Sequence, residues 1–256
     1  MCIRDRGKRG KGKKKNTKVY VMDMAGDTIR TFSTKIDTGF TRIYWNMRED
    51  GVQRPSRQEP KKDADLPTGE RVLPGTYKMV FVKNDSLKDS TNVVVKADPR
   101  LERSMASLKK ERAAKEEIYA YAEKGSDYAD RLRKAQKSIK LIDMWMENAP
   151  DSTKTKIAEQ GGELNKSIGS FFDKFTGLEN KKGYFKQPPT FNSHMWQTLG
   201  RISQAEGETE VAATAQKLKM ERFTNDLFTK IDKFFAEDWV AYKTAVKALD
   251  VPLFKD

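Results

Sequence analysis

A chain of 256 residues with 37% apolar and 34% charged residues is polar for a globular protein, yet four Trp, eight Tyr and thirteen Phe supply side chains for one large or two modest cores. That composition excludes wholesale disorder, and no stretch approaches the roughly 18 consecutive apolar residues that a membrane-spanning helix needs. The net charge of +13 raises nucleic acid as a partner, but its distribution argues against one.

Residues 1–16 form a basic leader. Between Met1 and Lys18 nine Lys or Arg face a single acid, Asp5, so +8 of the charge sits in this short stretch. Glycines interleave the charges, but the aromatic platforms on which single-strand binders stack bases are missing. The leader is therefore read as a solvated tail, with no nucleic-acid partner expected. Its first six residues, Met-Cys-Ile-Arg-Asp-Arg, resemble translated library-adapter sequence, so the gene is expected to begin upstream, and no apolar segment follows the basic start to make an export signal. Cys2 is the sole cysteine, which rules out an intrachain disulfide or a thiolate metal cluster.

Residues 17–97 carry strand character. Thr17–Met24 alternates, with Val19 and Val21 on one face; Ala25-Gly26-Asp27 is a turn signal, and Thr28–Thr34 returns with Ile29 and Phe32. Gly39 opens an expected third strand, Phe40–Met47, whose Ile43, Trp45 and Met47 should face a core while Arg42 and Tyr44 face away. Trp45 is expected to plug that core and Arg42 to act as a strand-edge ion-pair partner. The polar segment 48–71, rich in charge and proline, reads as a long mobile loop. Pro74-Gly75 supplies a turn into Thr76–Lys83, with Tyr77, Met79 and Phe81 in phase, and Asn84-Asp85-Ser86 turns the chain into a last strand carrying Val93 and Val95. About five short antiparallel strands predict a small β-sandwich, complete or short of its first strand.

At Asp98-Pro99 the period changes. Asp98 is suited to cap a helix and Pro99 to occupy its first position, so residues 98–256 are expected to be helical from this point. One helix is predicted from Leu101 to about Lys124. Tyr128, Leu132, Ala135, Ile139, Ile142 and Met146 stripe a second, ending before Pro150, and Ile157, Gly161, Leu164, Ile168, Phe171 and Phe175 stripe a third. A short helix near Ser193–Ser203 and a long one carrying Phe223, Leu227, Ile231, Phe235, Trp239, Tyr242, Val246 and Leu249 complete an antiparallel bundle. The expected architecture is thus α+β and multidomain.

Gly39-Phe40-Thr41-Arg42-Ile43-Tyr44-Trp45-Asn46-Met47-Arg48, Val72-Leu73-Pro74-Gly75-Thr76-Tyr77 and Asp98-Pro99-Arg100 together resemble the C-terminal region of bacterial sortilin-like β-propeller proteins, the glycosyl hydrolase type with BNR or Asp-box repeats. The strand, Gly26 and second strand before them are similar to immunoglobulin-like modules of the flagellar hook-capping type. Pro188-Pro189, Leu199-Gly200, an acidic glycine loop and a long Phe-rich helix are similar to that family's helical segment. The resemblance covers residues 17–250 and implies a secreted or periplasmic setting, a β-propeller upstream in cis and a cell-envelope partner. It also implies that the propeller, with its active face, is missing.

No residue pattern here assembles a catalytic, cofactor or metal site. His194 is the only histidine, so any triad or metal pair would rest on it alone, and its place at a helix start suits a surface or packing role. Glu116 with Glu117 and Asp63 with Asp65 sit in lysine-rich stretches and read as solvated charges. Asp23, Asp27 and Asp37 match no calcium-loop spacing, and Gly161-Gly162 follows no strand, so it reads as a helix break and not a phosphate cradle. The expected role is non-catalytic: accessory or scaffolding, through domain packing or protein interaction. The alternative is a substrate-positioning part of an extracellular glycoside hydrolase or peptidase.

Overall fold

A computed structural model describes residues 17–36, 39–61, 65–83, 87–101, 103–179, 187–204 and 209–249. The basic leader, the Asn84–Ser86 turn, Asp37, Asp63 and the acidic glycine loop lie outside the described residues. The chain is α+β and divides into two compact units: Met1–Gly51 with Asp63–Leu108, and Val52–Lys62 with Lys109–Asp256.

In the first unit β1 (Thr17–Met22), β2 (Thr28–Thr34), β5 (Gly75–Lys83) and β6 (Leu87–Val95) form one antiparallel sheet in the order β2-β1-β5-β6. β3 (Arg48–Asp50) and β4 (Thr68–Arg71) form a separate two-stranded ribbon. The β1–β2 hairpin follows from its turn: Gly26 sits at φ 96°, a conformation open to glycine, and the Asp23 carboxylate accepts from the amides of Ala25 and Asp27 at 2.9 Å each. Asp23 is thus a turn residue.

Register brings Val19 opposite Phe32 and Phe81, Val21 opposite Met79, and Tyr77 opposite Val93. Since side chains alternate along a strand, one face of the sheet carries the apolar set. Val19, Val21, Val72, Tyr77 and Met79 are buried there, with Ile29, Phe32, Trp45, Phe81, Val93 and Val95 packed around them.

Two expectations for this unit fail. Residues 41–46 are not a strand, Phe40 is 93% exposed and Met47 51%, and β3 begins only at Arg48. The chain turns at Met47, whose φ is 55°, and the Asn46 side-chain oxygen accepts from the Arg48 amide at 3.2 Å. The alternation is real, but its backbone is diverted before it can pair. Nor is segment 48–71 one loop. Its ends are β3 and β4, brought so close that a Cβ on Gly69 would lie 2.7 Å from the Asp50 carbonyl oxygen and one on Gly51 2.9 Å from the Gly69 nitrogen. Asp50 also ties β3 to β2, accepting from Arg30 at 2.8 Å and from the Thr31 amide at 2.9 Å.

In the second unit α1 (Met105–Trp145) is a single helix of 41 residues followed by a short 3-10 turn, where two helices were expected. It starts later than Asp98-Pro99 suggested. The Asp98 carboxylate is spent on Arg100, accepting from its amide at 3.0 Å and its guanidinium at 2.7 Å, which closes a separate turn and holds that carboxyl below the usual range. Ser104 takes the capping role instead, its hydroxyl oxygen accepting from the Ser107 amide at 3.1 Å.

α2 (Asp151–Thr176) runs through Gly161-Gly162 without a break, contrary to expectation. α3 (Phe191–Ser203), α4 (Thr209–Ala236) and α5 (Asp238–Lys247) follow; the long last helix of the sequence reading is interrupted at Glu237. The predicted stripes are inside: Tyr128, Leu132, Ala135, Ile139 and Met146 on α1 and its 3-10 turn, Ile157, Leu164, Ile168 and Phe175 on α2, Leu227 and Ile231 on α4, Tyr242 and Val246 on α5. Phe172, Phe228 and Phe234 are buried too, and Phe171 and Phe235 only partly.

Helix directions are mixed. Ile139 meets Gly161 and Gly125 meets Phe175, so α1 and α2 run antiparallel, as do α3 and α4, where His194 packs on Phe223 and Gln197 bonds Gln216. Along α1 and α4, however, Lys110 pairs with Glu210, Glu117 with Lys217, and Tyr128 with Phe228, a constant offset that makes these two helices parallel.

Candidate functional site

Two clusters gather the residues of interest, one in each unit. In the sheet unit, Trp45, Arg48, Pro74, Gly75 and Tyr77 converge. Trp45 donates its indole N–H to the Arg48 carbonyl at 3.0 Å and meets the Tyr77 ring edge-on at 5.6 Å. The Tyr77 hydroxyl donates to the Leu73 carbonyl at 2.6 Å, spanning the Pro74-Gly75 turn, and the Arg48 guanidinium donates to the Gly69 carbonyl at 2.9 Å. Each polar group of the two aromatic side chains is satisfied by backbone, so this cluster fixes loop geometry and offers no free reactive atom. Arg42 does not join it. It is exposed, 3.4 Å from the Tyr44 hydroxyl, where an ion pair was expected. Gly39, at φ 96°, and Gly26 serve turns, while Asp98, Pro99 and Arg100 form the turn before α1.

The helical unit holds a feature that composition concealed. Val52–Lys62, between β3 and β4 in sequence, is a strap fastened across three helices of this unit. Val52 packs on the helical core and Pro55 is buried, its ring held close to α1 because Gly125 has no side chain; a Cβ there would come within 2.9 Å of Pro55 Cγ. Arg57 pairs with Asp173 of α2 and donates to the Gly177 carbonyl at 2.9 Å, just beyond that helix. On α3, Asn192 donates to the Pro55 carbonyl at 3.3 Å and the Trp196 ring lies 4.6 Å under the Arg54 guanidinium. On α1, Arg133 donates to the Ser56 carbonyl and Lys137 pairs with Glu59.

Between strap and α1 lies a hollow of about 280 Å³ lined by Glu59, Pro60, Lys61, Asp130, Arg133, Lys134 and Lys137. Arg133 is its floor, with 8% of its side chain exposed and its guanidinium also paired to Asp130. Burial pulls the Arg133 pKa down, and Glu59 is held below the usual carboxylate range by Lys137, with help from Arg133 and Lys134. The hollow is electropositive. Arginine and lysine here can hold an anion; no described side chain in it has the environment of a nucleophile.

The residues weighed as reactive groups fall apart spatially. His194 is buried on α3 with its ring 4.9 Å from Phe223, and burial followed by Lys219 lowers its pKa; its neighbour Ser193 is half of a capping box with Thr190. Glu116 pairs with Arg112 and Glu117 with Lys217, both exposed, and Asp65 is exposed as well. Among the described residues no group of three His, Cys, Asp or Glu is close enough to hold a metal ion, and no helix is long and apolar enough to cross a membrane.

The strap was missed because Arg48–Arg71 reads as solvated charge. A usable signal was present: Val52 and Pro55 interrupt the polar run, and Arg54, Arg57 and Glu59 recur at spacings that let a short segment reach several partners. No protein-family model, no curated protein and no solved structure matches the chain.

Proposed function

We propose that the protein is a non-catalytic accessory part of a secreted sortilin-like β-propeller protein, packing against the propeller in cis or contacting a cell-envelope partner. The observation that supports this reading is the cluster of Trp45, Arg48, Leu73 and Tyr77, in which two of the three residue series behind the resemblance touch; the third, Asp98-Pro99-Arg100, forms a turn of its own. On this reading the sheet unit is an immunoglobulin-like sandwich and the helical unit a bundle. The strap supports a scaffolding role, since a segment between two strands of the first unit is an integral part of the second.

The test is the genomic sequence upstream of this reading frame. An in-frame run of Asp-box repeats supports the proposal. An immediate stop codon preceding a ribosome-binding site overturns it. Carboxylates on the propeller face would favour the second reading, in which this chain positions substrate for a glycoside hydrolase or peptidase.

A further inference from the structure

We propose that the hollow between the strap and α1 binds a small divalent oxyanion of the phosphate or sulfate class. Its lining sets four cations, Lys61, Arg133, Lys134 and Lys137, against two carboxylates, Glu59 and Asp130. Both carboxylates are already engaged, Asp130 with Arg133 and Glu59 with Lys137. Lys61 and Lys134 have no ion-pair partner among the described residues, so the unmatched charge is that of these two ammonium groups.

A divalent anion matches that surplus, whereas a monovalent carboxylate leaves one charge uncompensated. Shape agrees. Lysine ammonium groups are point donors that can approach a tetrahedral anion from separate directions, while the nearly buried Arg133 raises the positive potential from below. At about 280 Å³ the hollow lies at the lower edge of the roughly 300–1,000 Å³ range of small-molecule sites, which suits a compact anion or a single phosphorylated sugar and not a polymer. The pinned strap makes the site preformed, so little ordering cost opposes binding. This inference is independent of the accessory reading, and either can fail alone.

The experiment is isothermal titration of the full chain with sodium sulfate and sodium phosphate, with sodium acetate at matched ionic strength as control. Saturable one-to-one binding of sulfate and phosphate, but not acetate, is expected. The double variant Lys61→Gln/Lys134→Gln should weaken it about tenfold or more, as loss of charge-assisted bonds requires, while Lys154→Gln, an exposed lysine elsewhere on α2, should not. Titration with glucose 6-phosphate then distinguishes a sugar ester from the free ion, by whether the ester binds more tightly than phosphate. Should the double variant lose its fold, the two single variants are read in the same way. Acetate acting as well as sulfate, or unchanged sulfate affinity in the folded lysine variants, overturns the proposal.

Discussion

Gly161 and Gly162 stand side by side in α2, yet the fold places them in opposite environments, and replacing each by alanine separates two forces that usually act together. Alanine in a helix interior is favoured over glycine by about 1 kcal/mol. At Gly162 nothing lies within 4 Å of an added Cβ, so that gain should be realised. At Gly161 the Cβ would lie 2.9 Å from Ile139 Cγ2 and 3.4 Å from the Tyr242 hydroxyl. Ile139 is fully buried and β-branched, so it has little rotamer freedom with which to yield, and overpacking of this kind costs about 1–3 kcal/mol. Because the propensity term is common to both sites, the two variants should differ by about that packing cost, with Gly162→Ala the more stable. Urea denaturation followed by helical circular dichroism reads this directly. With a slope of about 1–3 kcal/mol per molar urea, the midpoints should separate by roughly 1 M. Equal midpoints, or destabilisation by Gly162→Ala, would refute the continuous helix and restore a break at the glycine pair.

Other perturbations probe the two clusters and the titrating groups. Trp45→Ala removes an indole that is partly buried and hydrogen-bonded, so calorimetry should show a loss near the low end of the range for large aromatics, about 3 kcal/mol. A double-mutant cycle on Arg57→Ala and Asp173→Ala should give a coupling energy of about 1 kcal/mol, since the pair is only partly buried; zero coupling would mean that the strap is not held by it. Burial raises the phenols of Tyr128 and Tyr242 to about 12, with Asp232 adding to the shift at Tyr128 and Asp143 at Tyr242. The unfolded chain then loses these protons first, so the stability they confer is complete below about pH 10 and declines between about pH 10 and 12. Alkaline melts of Tyr128→Phe should lose part of that decline. For His194 the sign is reversed: burial lowers its pKa, so stability present at neutral pH should fall as pH drops below about 6.5, a decline that His194→Gln should reduce.

The parts of the fold that were legible are those whose signal is local. The β1–β2 hairpin is written as alternation flanking Ala25-Gly26-Asp27, and the α1 and α2 stripes are written as steps of three and four. What the sequence hid depends on distant partners. Phe40–Met47 alternates as a strand does, but pairing requires a neighbour, and Met47 turns the backbone before one is found. The β3–β4 ribbon rests on a close approach of Gly51 and Gly69 that a residue-by-residue reading treats as loop flexibility. The electropositive hollow joins Glu59 and Lys61 to Arg133 and Lys137, more than seventy residues away, so neither half carries a motif. His194 at a helix start is compatible in sequence with a surface or a packing role, and only its distant partner Phe223 decides for burial.

The proposed accessory role requires that this chain support chemistry performed elsewhere and perform none itself. The measurement that tests it most directly is turnover by the purified protein on aryl glycosides, sialosides and peptide substrates. The account predicts rates indistinguishable from buffer across all three, in a sample whose cooperative melting shows that it is folded. Hydrolysis that survives purification and is abolished by replacing one carboxylate, such as Asp130 or Glu59, would contradict it.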